Sequence, residues 1–113
     1  MPKPSKLLTA PPFPVEATLS TLGTNLRIAR LRRNFTVNEI AEKIGVNRKS
    51  LLDAEKGKPS TSIAIYVALL WAYGLLDQMQ NVADPTKDDE GQALAIAHER
   101  QRAGGYEDLD NDF

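Results

Sequence analysis

Residues 36–57 read TVNEIAEKIGVNRKSLLDAEKG, and this stretch decides the fold. Its first half predicts a short helix over residues 37–44. Thr36 with Glu39 three residues later is a capping-box pattern. In it the Thr36 hydroxyl accepts from the Glu39 N–H, and the Glu39 carboxylate accepts from the Thr36 N–H. Ile40 and Ile44 then face inward, and the small Ala41 lets the next helix cross closely. Gly45 stops the helix, because a left-handed residue costs glycine little. Asn47 is a good N-cap for a following helix over residues 48–56. That helix is expected to bury Leu51 and Ala54 and to expose Arg48, Lys49, Leu52, Asp53 and Lys56. Two short helices joined at Gly45-Val46-Asn47 have the layout of a helix-turn-helix, whose second helix enters the major groove of DNA.

Working outward, residues 19–33 predict a first helix capped by Ser20 or Thr21, with Leu22, Leu26 and residues 28–31 as its apolar positions. Before it, residues 1–18 carry five of the seven prolines: Pro2, Pro4, Pro11, Pro12 and Pro14. Proline fixes φ and removes a donor, so the expectation there is an extended arm. After the motif, Gly57-Lys58-Pro59-Ser60 is a turn. Ser62 caps a fourth helix over residues 63–73, which ends at Gly74. A short fifth helix over residues 75–82 stops near Asp84-Pro85.

The fourth helix is apolar almost all round, whereas a surface helix of a small domain has one polar face. Part of it, Tyr66, Leu70 and Trp71, is therefore read with Leu75, Leu76 and Met79 as a homodimer surface. The alternative is an entirely intramolecular core. Beyond residue 84, Asp88 or Asp89 could cap a helix over residues 91–102 with a thin apolar stripe. Tyr106, Leu109 and Phe113 then alternate with acidic groups, which gives too little apolar surface to fold alone but offers anchors for a partner's pocket.

Composition bounds the function. A chain of 113 residues, 42% apolar, allows one small domain with tails. It has no cysteine, so disulfides and thiolate metal sites are excluded. No signal peptide opens it, and its longest apolar run, residues 63–76, is too short to span a bilayer. A cytoplasmic protein without membrane association is expected. The net charge of −1 hides an asymmetry. Residues 22–60 hold nine basic groups against four acidic ones, and residues 77–113 hold ten acidic against three basic. A basic body with an acidic tail points to two partners of opposite character, or to a tail that only solvates.

The frame T-x-x-E-I-A-E-K-I-G-V-N-R-K-S-L followed by A-E-K-G-K-P-S resembles the Cro/C1-type (XRE) helix-turn-helix family, over about residues 22–76. The resemblance implies an all-α, lambda-repressor-like domain of five helices over residues 19–83. The extended arm of residues 1–18 and an acidic partner-binding tail of residues 84–113 would flank it. The wider chain is similar to the HipB-like antitoxins of HipA–HipB toxin–antitoxin modules. That similarity rests on SIAIYVALLWAYGLL at residues 62–76, the following Asp-Pro, the Glu90-Gly91-x-Ala93-Leu94 element and the acidic end. It implies a homodimer that binds double-stranded operator DNA, represses its own operon and neutralises a HipA-like kinase toxin. A plain regulator of the same fold and a protein-binding adaptor remain the alternatives. The sequence departs from the family at Val37, where Gln is usual, and at Leu52 and Asp53 in the recognition helix.

Arg48 and Lys49 are the first candidates for base contacts, since guanine O6 and N7 accept a bidentate donor. Ser50, Leu52 and Asp53 follow on the same helix, with Thr36, Val37 and Asn47 at the helix starts. Arg27, Arg32, Arg33, Lys56 and Lys58 are candidates for phosphate contacts. The family pattern pairs an arginine of the first helix with a glutamate of the third, here Arg30 and Glu55. Tyr106, Leu109 and Phe113 are the toxin-binding candidates. No catalytic residue, metal, cofactor or small-molecule ligand is expected. His98 stands alone, and the acidic residues 84–90 lack cation-loop spacing.

Overall fold

A computed structural model describes residues 5–104. It is all-helical over those residues and divides into two compact units between Met79 and Gln80. The first unit begins with α1 (Lys6–Thr9), followed by α2 (Phe13–Arg32), α3 (Val37–Ile44), α4 (Arg48–Glu55) and α5 (Ile63–Ala72). A 3-10 segment runs over Leu76–Asn81.

The motif forms as its capping residues require. Thr36 and Glu39 exchange both bonds of the box, at 3.0 and 3.1 Å. Gly45 ends α3 at φ 80°, with its N–H donating to the Ala41 carbonyl. Asn47 accepts from the Ser50 N–H at 2.8 Å, and Ser62 accepts from the Ala64 N–H at 3.1 Å. Leu26, Ile40, Leu51 and Leu69 are the largest fully buried side chains, one from each of α2 to α5. The core is thus a single cluster to which all four helices contribute.

α2 crosses the C-terminal end of α4 at Gly23. A Cβ placed there would lie 2.6 Å from the Glu55 carbonyl oxygen and 2.7 Å from that of Ala54. Only a hydrogen fits, and no side-chain pattern in the sequence marked the crossing.

Three expectations are corrected. The arm of residues 1–18 is not extended throughout, because α2 starts at Phe13 and not at residue 19. Pro12 is the N-cap and Pro14 lies in the first turn, where a helix has no use for the missing N–H. The proline cluster therefore starts a helix. The fifth helix is a 3-10 segment, entered after Gly74 at φ 74°. Ile28 and Leu31, expected among the inward positions of the first helix, are exposed; Leu26, Ala29 and Arg30 hold that face.

The dimer assignment also changes. Tyr66 and Leu70 are buried in the chain's own core, so they offer nothing to a second copy. The Tyr66 hydroxyl donates to the Lys58 carbonyl at 3.2 Å. Leu75 and Met79 pack against the same core, whereas Trp71 and Leu76 remain exposed. Trp71 carries the Lys43 ammonium over its ring at 5.5 Å.

The second unit holds a 3-10 turn (Pro85–Lys87) and α6 (Asp89–Gly104). Two of its acidic residues serve as caps. Asp84 accepts from the Thr86 N–H and hydroxyl, and Asp88 accepts from the Gly91 N–H at 2.9 Å. No residue of α6 is buried. Tyr106, Leu109 and Phe113 lie outside the described residues.

Candidate nucleic-acid interface

The site is built on α4, whose two ends do different work. At its C-terminal end Glu55 accepts two bonds from Arg30 of α2, from Nε at 2.7 Å and Nη2 at 3.1 Å. Both residues are buried. Arg30 Nη1 also donates to the Phe35 carbonyl at 3.0 Å. One guanidinium thus ties α2, the connection before α3 and the end of α4. The bond to Glu55 raises the Arg30 pKa further above its ordinary value. A buried pair contributes little net stability, but its forked geometry fixes the angle of α4.

Tyr73 lies beside this pair. Its hydroxyl is buried without a hydrogen-bond partner, and burial pushes its pKa up to about 12. The Arg33 guanidinium sits 5.7 Å from the centre of the Tyr73 ring, and its Nη1 donates to the Ala29 carbonyl at 3.0 Å. Arg33 is therefore engaged with its own domain, a role its place among the phosphate candidates did not foresee.

The N-terminal half of α4 presents its side chains outward. Arg48 and Lys49 are exposed and Ser50 is half-buried. Arg48 Nη1 donates to Asn38 Oδ1 at 3.1 Å, which holds the first turn of α4 against the first turn of α3. Asn38 was missed by the sequence reading. The only signal for it was an amide one residue beyond the position where the family pattern has Gln.

Val37 itself is a core residue at 9% exposure, so its place among the DNA contacts is withdrawn. A branched apolar side chain at the first position of α3 packs inward. Leu52, expected outward, is half-buried against the core. Thr36 and Asn47 remain exposed, with their side-chain oxygens already accepting cap bonds.

Asp53 organises the remaining charges. Its Oδ2 receives Lys49 Nζ at 2.9 Å and its Oδ1 receives Lys58 Nζ at 3.2 Å. The Lys49 bond, followed by that of Lys58, holds the Asp53 carboxyl below the usual carboxylate range. The Lys58 N–H also donates to the Asp53 carbonyl at 3.1 Å. Lys56 is exposed beside this group.

Residues 21–81, more than half the chain, match the family model described as a helix-turn-helix domain. The chain belongs to this family. It is also similar to a protein of Thermococcus kodakarensis named for an HTH-type transcriptional regulatory role, with 40% identity over 47 residues. That match covers 42% of the chain and 15% of the relative, so the chain spans a small part of that protein's length. No solved structure matches. Among the described residues, no helix is long and apolar enough to cross a membrane.

Proposed function

We propose that this helix-turn-helix protein is a sequence-specific DNA-binding transcriptional regulator that reads base edges with the first turn of α4. The observation that carries this reading is the exposed Arg48–Lys49 pair on a helix whose far end is anchored by Arg30 and Glu55. A reading helix needs such an asymmetry. Its donors must reach the groove, and its angle must not drift. Arg48→Ala should cost about 1–3 kcal/mol of binding to DNA selected from a random library, with the fold intact by circular dichroism. A reader elsewhere would be indicated if neither Arg48→Ala nor Lys49→Ala altered a gel-shift titration.

The finer reading is a homodimeric repressor of its own operon that also neutralises a HipA-like kinase toxin. Exposed Trp71 and Leu76 support a dimer, as does the two-fold logic of half-site recognition. Sedimentation as a monomer at micromolar concentration would refute it. The antitoxin role rests on the sequence resemblance and on the charge of residues 77–113, which is of the wrong sign for a phosphate backbone. Loss of toxin co-purification on deleting residues 106–113, with DNA binding kept, is its expected signature; undiminished co-purification would count against it.

A further inference from the structure

Asp53 is an unexpected residue on the outward side of a helix read as facing a polyanion. Its carboxylate would be repelled by phosphates, and only an amine edge, usually that of cytosine, favours it. Its contacts supply another role. Lys49 lies one turn before it on α4, with a side chain 81% exposed. Lys58 lies in the turn that follows α4, with a side chain 46% exposed. The Asp53 side chain is only 18% exposed, so the two ammonium groups converge on a carboxylate set into the surface.

The turn is also held in place for this contact. The Lys58 N–H donates to the Asp53 carbonyl, and the Lys58 carbonyl accepts from the buried Tyr66 hydroxyl. Lys58 is therefore fixed at the backbone before its side chain reaches Asp53. The 2.9 Å contact of Lys49 is a charge-assisted hydrogen bond and the 3.2 Å contact of Lys58 an ion pair, both of kinds an ammonium also makes to a phosphate oxygen.

We infer that Asp53 is a specificity-determining residue: its carboxylate stands in for a DNA phosphate and withholds Lys49 and Lys58 from sequence-independent binding. This inference rests on the DNA-binding reading above. A duplex held at this face only through its backbone must supply phosphate oxygens that displace Asp53 from both lysines. The exchange is nearly even for charge pairs in water, so random DNA gains little from these two cations. A duplex that satisfies Arg48 is held by base contacts and leaves both Asp53 pairs in place, so it does not undergo this exchange. The device lowers background affinity and leaves the selective part of binding intact, as discrimination by a penalty on the wrong partner requires.

The test is a salt titration of the full chain and its Asp53→Asn variant, on the selected duplex and on a scrambled one. Asparagine keeps the shape and removes the charge. Each phosphate newly contacted steepens the slope of log K against log salt by about 0.9. Asp53→Asn should steepen the slope on scrambled DNA by about 1–2 and raise affinity for it about tenfold at low salt. Affinity for the selected duplex should rise less, so the ratio between the two falls. Adding Lys58→Gln should remove about half of the extra slope. The inference is overturned if Asp53→Asn leaves scrambled binding unchanged. It is equally overturned if the variant loses the selected duplex alone, which would make Asp53 a base reader. Absence of salt-dependent binding in the unaltered protein would instead defeat the DNA-binding reading itself.

Discussion

α4 and α6 make an instructive pair. α6 is sixteen residues long and α4 only eight, yet the shorter helix is the better held. α4 buries Leu51 and Ala54 completely, and Glu55 receives a forked bond from Arg30. α6 buries nothing, and its Leu94 and Ile96 are about half exposed. Bonds outside its helix ladder include two local ones, the Asp88 cap and Gln92 Nε2 donating to the Pro85 carbonyl at 3.0 Å. A helix in a small protein is secured by what its apolar face covers, while length and capping set where it starts.

That contrast can be broken most forcefully at Glu55. Glu55→Ala leaves the Arg30 charge buried without its partner and should destabilise the first unit by about 3–5 kcal/mol in a denaturant melt. The double change Arg30→Met with Glu55→Leu should cost much less, since a packed apolar pair replaces the ions. Equal losses in both variants would mean that the pair is not the anchor.

A smaller effect is expected at the caps. Asn47→Ala removes the acceptor of the Ser50 N–H and should cost about 1 kcal/mol of thermal stability. The neighbouring box has a pH signature. Bonds from the Thr36 N–H, then from its hydroxyl, hold the Glu39 carboxyl below its ordinary range. A depressed carboxyl pKa stabilises the fold above the unfolded value, and the contribution is lost as pH falls through the folded one. Acid should thus weaken the wild type slightly more than Glu39→Gln; identical acid limbs would argue against the box in solution.

The smallest effect belongs to α6. Leu94→Ala should change stability by less than about 0.5 kcal/mol, because an exposed leucine loses little when shortened. A loss near 2 kcal/mol would reveal a partner surface covering that helix in solution.

The motif was legible because its signals are local. Thr36 with Glu39, Gly45 and Asn47 each act within four residues, and α3 began and ended where they placed it. The Arg30–Glu55 pair followed from the family pattern and not from spacing alone. What escaped depends on distant neighbours. Gly23 matters only because the end of α4 passes over it, and Asn38 only because the turn brings Arg48 alongside. Val37, Tyr66 and Leu70 were assigned outward roles because an apolar residue does not declare whether its own chain or another will cover it. The proline-rich stretch misled for another reason. Proline breaks a helix interior but suits a first turn, and Pro12 and Pro14 fall at the start of α2.

The division of labour along α4 has a consequence for how such a protein can change. Its last turn is locked to α2 by Arg30 and by the close crossing at Gly23. The outward side chains of its first turn are held only at the surface, Arg48 by Asn38 and Lys49 by Asp53. Residues 48, 49 and 53 are therefore interchangeable parts on a fixed mount. New side chains grafted there would redirect the protein to another target while the mount goes on folding as before. A lineage that duplicated this gene could drift at those positions without first passing through an unfolded ancestor.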